Sequence, residues 1–91
     1  DVLAIGLMKG FYEQGVQVPE DISIIGFDDL DISKYTTPGL TTVKQPISDK
    51  GERAVEILIE NIENPQMEKV EEVFPVKLVE RQSVRKRTEI L

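Results

Sequence analysis

Cysteine, histidine and tryptophan are absent from all 91 residues. Without Cys or His the chain has no disulfide, no thiolate nucleophile, no imidazole base and no usual zinc site, which removes most catalytic chemistry. Long apolar runs are lacking too; none approaches the ~20 residues that a membrane helix needs. Positive charge is scarce, with 11 Lys and Arg against 17 Asp and Glu, so nucleic acid would be repelled by most of the surface. There is no initiator Met and no basic segment leading an apolar stretch, and Asp1-Val2-Leu3-Ala4-Ile5 already lies inside a helical pattern. The chain is expected to be a piece of a longer protein.

What is present has an ordinary globular balance, 40% hydrophobic and 31% charged, and the length allows one small domain at most. Bases gather only at the end, in Arg81, Arg85, Lys86 and Arg87, with no aromatic residue among them and no recognition helix before them. A solvated, frayed tail is the expected state of that cluster.

Leu3, Leu7 and Phe11 recur at four-residue steps, which predicts a helix from Asp1 to Gln14 stopped by Gly15. Val18-Pro19-Glu20-Asp21 reads as a turn in which Asp21 caps or bonds local backbone. Ile22 to Phe27 is a short, β-branched run, apolar on both faces as a covered parallel strand would be. Asp28 to Gly39 reads as a loop with one helical turn around Asp31 to Tyr35, and Leu40 to Val43 as a second strand. Ser48 is a natural N-cap for a helix carrying Val55, Leu58, Ile59 and Ile62 on one face, ended by Asn64-Pro65. Residues 66–72 form an acidic loop, and Val73 to Val79 a third strand that Pro75 places at an edge or bend. The order points to an α/β fold, in which any parallel strand pair needs a crossover helix of right-handed sense. Two helices and three short strands cannot cover a strand that is apolar on both faces, so apolar surface should remain exposed.

Asp28-Asp29-Leu30-Asp31 puts three carboxylates at the end of a buried strand, where open α/β sheets bind ligands. A calcium loop starting at Asp29 fails, because Lys34 stands where Gly is needed and Leu40 where Glu is needed. A magnesium-dependent phosphoryl-transfer site using Asp28 and Asp29 is the enzyme alternative, but it lacks a matching partner set. Asp29 and Asp31 read more simply as caps of the following turn. Asp28, first past the strand, can accept two hydrogen bonds from ligand hydroxyl or ring N–H groups. Gln45, whose amide both donates and accepts, reads equally as a partner in one cleft or as a plain loop residue. Ile5 and Tyr35 read as core residues on pattern alone.

Five motifs then occur in order: Asp1-x-x-Ala4-Ile5-Gly6; Gly15-Val16-x-Val18-Pro19-Glu20-Asp21-Ile22-Ser23-Ile24-Ile25-Gly26-Phe27-Asp28-Asp29; Tyr35-x-x-Pro38-x-Leu40-Thr41-Thr42-Val43-x-Gln45-Pro46; Gly51-x-x-Ala54-Val55; and Leu78-Val79-Glu80-Arg81-x-Ser83. Together they resemble the C-terminal third of LacI-type transcriptional repressors, from Asp1 to about Ser83. The resemblance implies an α/β fragment of a periplasmic-binding-protein-like (type I) two-lobe parallel-sheet fold. On that template residues 1–44 fall in the second lobe, 45–65 in a crossover and a helix of the first lobe, 66–83 in a returning strand and 84–91 in a tail. It also implies a sugar or purine-like effector between the lobes, with Asp28 and Gln45 as ligand-binding positions. Operator DNA would be read only through an N-terminal headpiece, and a homodimer or higher assembly would place Ile5 and Tyr35 at the interface. The Asn that commonly precedes Asp1 in the family would lie just before this chain. The expectation is a cytoplasmic effector sensor with no cofactor, no metal and no catalytic residue, and no membrane contact. An extracytoplasmic sugar-binding protein of the same fold is the alternative.

Overall fold

The computed structural model describes residues 1–87. It divides into two compact units: residues 1–44 with the stretch from Lys77 onward, and Gln45–Val76. The end of the expected tail, residues 88–91, lies outside the described residues.

The first unit opens with helix α1, Val2–Glu13, whose buried Ala4 and Met8 meet Ile24 and Leu40 in the core, with Ile5, Phe11 and Val18 packed against them. The helix stops at the expected glycine. Gly15, at φ +76°, donates its N–H to Tyr12 O at 3.1 Å, and Val16 N–H reaches Phe11 O at 2.9 Å. This pair of bonds satisfies the last carbonyls and requires a left-handed residue that glycine supplies without penalty. In the following turn the Asp21 carboxylate accepts the Gln17 N–H at 2.8 Å, as its position suggested.

The next segment departs from expectation. Ile22 to Phe27 forms no strand, only one parallel bridge between Ile25 and Thr41. Gly26 N–H donates to Thr41 O (2.9 Å) and Asp28 N–H to Val43 O (2.8 Å), as a parallel ladder would. The reciprocal bond is diverted through a side chain. The Ser83 hydroxyl accepts the Thr41 N–H at 2.8 Å and donates to Ile24 O at 2.6 Å, so it stands in the ladder where backbone would meet backbone. Gly26 is also tightly enclosed, since a Cβ there would lie 2.9 Å from Leu40 Cδ2 and strike the Asp1 carboxylate.

The expected helical turn is present as a 3-10 helix, Asp31–Lys34. Strand β1, Thr42–Lys44, begins later than the predicted Leu40, because Leu40 and Thr41 are engaged by Ser33 and Ser83 instead. Strand β2 is only Lys77–Val79; Pro75 has no N–H to donate and falls outside it. β2 pairs antiparallel with β1, Lys44 opposite Lys77 and Thr42 opposite Val79. The α/β class holds: this strand pair is antiparallel, and the parallel contact expected of the Ile22–Phe27 segment is the Ile25–Thr41 bridge.

The second unit is built on helix α2, Ile47–Glu63. Ser48 is not its N-cap. Pro46 occupies that position at φ −79° and its carbonyl accepts the Lys50 N–H at 3.0 Å, so the helix starts one residue before Ser48. Val55, Leu58, Ile59 and Ile62 keep helical spacing, yet no residue of α2 is buried. Arg53 donates to Glu72 at 2.7 Å and to Glu56 at 3.2 Å. These carboxylates raise the guanidinium pKa above its ordinary value, which adds no pH dependence because arginine is charged throughout the physiological range.

Four hydroxyl residues, Ser33, Thr41, Thr42 and Ser83, are buried, and no buried side-chain polar atom among the described residues lacks a partner. Ser83→Ala removes one hydroxyl that serves two backbone groups. The expected cost is roughly 1–3 kcal/mol, the penalty of leaving a buried group unpaired, read as a lower urea midpoint by circular dichroism. An unchanged midpoint would mean that Thr41 and Ile24 close the gap directly.

Candidate ligand-binding site

Asp28 stands at the end of the segment that runs beside residues 41–43. It is half-buried, its N–H is held by Val43 O at 2.8 Å, and its φ is +107°. Asp29 follows at φ +52°. Two successive residues other than glycine in left-handed backbone cost about 1–3 kcal/mol each, so the surrounding structure must hold them there.

It does so from two sides. Asp29 N–H donates to Thr42 Oγ1 at 3.2 Å, and that hydroxyl donates in turn to Asp1 Oδ1 at 2.5 Å. The other Asp1 oxygen accepts the Leu30 N–H at 2.7 Å and the Ser33 hydroxyl at 2.6 Å, while the Asp1 backbone nitrogen donates to Phe27 O at 2.9 Å. On the second side Arg81 donates to Asp29 Oδ1 at 2.7 Å and to Leu40 O at 2.8 Å. The two side chains of this ion pair are only 14% and 11% exposed. The turn is therefore clamped by a carboxylate with three donors and by a largely dry ion pair.

Two expectations are corrected here. Asp29 and Asp31 do not cap the turn. Asp29 is taken by Arg81, Asp31 is 98% exposed with Lys34 at 3.9 Å, and no side chain caps the 3-10 helix; Asp1, distant in sequence, instead accepts the Leu30 N–H just before it and the Ser33 hydroxyl within it. Arg81 does not belong to a solvated basic cluster, because the strand exit carries it inward to Asp29. Arg85, Lys86 and Arg87 are exposed, and the Arg85 N–H donates to Ser23 Oγ at 3.1 Å.

Of the predicted site residues, Asp28 lies in the first unit and Gln45 opens the second, where Lys50 Nζ donates to its side-chain oxygen at 2.7 Å. Ile5 is half-buried against the core of its unit, whereas Tyr35 is 77% exposed. Asp28, Asp29 and Asp31 are not gathered round a common point, and no group of three or more His, Cys, Asp or Glu among the described residues is arranged to hold a metal ion. The sequence reading missed Asp1, Ser33, Thr42 and Arg81 as supports. No local signal marks them, since threonine is common in strands and the four reach the turn only by folding.

A core helix followed by a segment ending in a clamped Asp-Asp turn, with a return strand that locks the turn, defines one part of an α/β ligand-binding domain. A match to the periplasmic binding protein-like domain covers residues 1–84. The chain belongs to that family, in the form found as the effector-binding domain of LacI-family transcriptional regulators. It is 45% identical over 86 residues to the HTH-type transcriptional repressor PurR of Vibrio atlanticus (strain LGP32), 93% of this chain and 25% of that repressor. A LacI family transcriptional regulator from Enterococcus faecium, solved with bound ribose, matches at 42% identity and TM-score 0.79, over 92% of this chain and 32% of that one. The lac repressor dimer bound to operator and the anti-inducer ONPF matches at 36% identity and TM-score 0.79, over 92% and 29%. The chain thus spans about a quarter of the length of the curated relative it matches.

Arg81→Met removes one partner of the ion pair and leaves the Asp29 carboxylate enclosed without its cation. We expect a loss of about 3 kcal/mol, seen as a lower melting temperature. Because the pair is largely shielded from solvent, that loss should change little with added salt.

Proposed function

We propose that this chain forms part of the effector-sensing domain of a LacI-type transcriptional repressor, a binding protein and not an enzyme, acting in the cytoplasm. The observation that carries the reading is the presentation of Asp28, a half-buried carboxylate at the end of a core segment, in a backbone conformation fixed by its neighbours. A carboxylate so placed accepts from two hydroxyl or N–H groups of a sugar or purine-like ligand. Bound ribose in the Enterococcus faecium relative and the repressor relatives support the reading. No helix among the described residues is long and apolar enough to cross a membrane.

In this reading residues 1–44 and the returning strand within 66–83 belong to the second lobe, and 45–65 form a crossover and a helix of the first. Gln45 contributes at the ligand cleft. Effector binding favours one lobe arrangement and so alters how two headpieces, carried elsewhere in the intact regulator, meet operator DNA. Ile5 and Tyr35 lie at the homodimer interface. The exposed apolar side chains of α1, Val2 at 72%, Leu3 at 79% and Leu7 at 47%, favour such a contact.

Calorimetry with D-ribose on the intact regulator tests the site. Asp28→Ala should weaken binding by about 1.5–3 kcal/mol for each hydrogen bond lost, and unchanged affinity would remove Asp28 from the cleft. Light scattering on this chain at micromolar concentration should find a dimer or larger species, including arrangements in which copies exchange elements. A monomer with sharp, dispersed amide resonances would exclude the interface.

A further inference from the structure

The Asp-Asp turn presents a division of labour that the ligand-binding reading leaves undescribed. Asp28 has its N–H on Val43 O, and the next residue, Asp29, is held at both ends: its N–H on Thr42 Oγ1 and its carboxylate on Arg81. Thr42 is wholly buried and its hydroxyl donates a hydrogen bond to Asp1, which also accepts the Leu30 N–H beyond the turn. The peptides on either side of Asp28 are therefore each tied to β1 or to α1's leading residue. Asp28 itself sits at φ +107°, a region that L-residues rarely occupy, so an untied chain would leave it.

We propose that Asp29, Arg81 and Thr42 are positioning residues for the ligand: by holding the backbone after Asp28, they aim its carboxylate and set effector affinity without touching the effector. The proposal rests on the reading of Asp28 as a ligand group, and it predicts a specific pattern of variants. Asp29→Asn keeps a residue that tolerates left-handed backbone but loses the ionic hold of Arg81. Thr42→Val removes the hydroxyl that links Asp29 to Asp1, and Thr42→Ser restores it.

Two readouts are taken on the intact regulator. The first is hydrogen exchange at single amides without ligand. Asp28 and Asp29 amides should exchange at least about tenfold faster in Asp29→Asn and Thr42→Val, an opening made easier by ~1.4 kcal/mol. Amides in the middle of α1 should keep their protection, and Thr42→Ser should behave like the unsubstituted protein. The second is D-ribose affinity, which should fall at least about tenfold in the same two variants and recover in Thr42→Ser. If Asp28 and Asp29 amides keep their exchange rates, or change only together with α1, the positioning role is overturned. If Asp28→Ala abolishes ribose binding while Asp29→Asn and Thr42→Val bind as before, it is again overturned and Asp28 remains the ligand group. If Asp28→Ala binds ribose normally, the ligand reading fails; if the unsubstituted protein does not bind ribose, that sugar is excluded as the effector; in either case exchange alone decides whether the turn is clamped as described. Should Asp29→Asn fail to fold, the Thr42→Val and Thr42→Ser pair carries the same decision.

Discussion

One carboxylate organises the first unit. Asp1 receives the Leu30 N–H, the Ser33 hydroxyl and the Thr42 hydroxyl, and so joins the start of α1, the loop after the Asp-Asp turn and strand β1. Leu30 and Ser33 lie in one loop and Thr42 in a strand, and the shared acceptor adds to the Asp29–Thr42 and Leu40–Ser33 bonds that already join those segments. Charge-assisted bonds of this kind are stronger than neutral ones, and two of the three, those from Ser33 and Thr42, are part-buried. Gly26 makes the approach possible by offering no side chain where the carboxylate sits.

The polar interior follows from this arrangement. A domain this small has little apolar core, and among the described residues the buried apolar set of the first unit is four, Ala4, Met8, Ile24 and Leu40. Beside them stand as many buried hydroxyl residues, each hydroxyl bonded to backbone or carboxylate or, in Thr42, to both. Ser83 completes a ladder between two chain segments that do not reach each other fully, and Arg81 brings the return strand onto the Asp-Asp turn. Order at the turn is thereby coupled to order at the chain's C-terminal part.

Helices were legible in the sequence because periodicity and stop signals are local: four-residue steps gave α1, and Gly15 ended it where its φ is positive. Strand limits were less legible. Ile22 to Phe27 has the residue types of a strand, but whether a ladder extends depends on what lies opposite, and Ser83 lies opposite. The Ser48 cap failed for a related reason, since Pro46 already supplies the first carbonyl of α2. At the candidate site, Asp28 could be singled out as the first carboxylate past an apolar run. Its supports could not, because Asp1, Thr42 and Arg81 are brought to it only by folding, and a carboxylate at residue 1 carries no local sign of its three donors.

The pairing of Lys44 with Lys77 has a further consequence. The stretch Gln45–Val76 leaves and rejoins the first unit at two adjacent points of one ladder, so topologically it is an insertion. Closing such an insertion costs entropy that grows only logarithmically with its length, about 0.6 kcal/mol for each doubling. Chain length between the two lysines is thus nearly neutral for the stability of the first unit and for the geometry of its Asp-Asp turn.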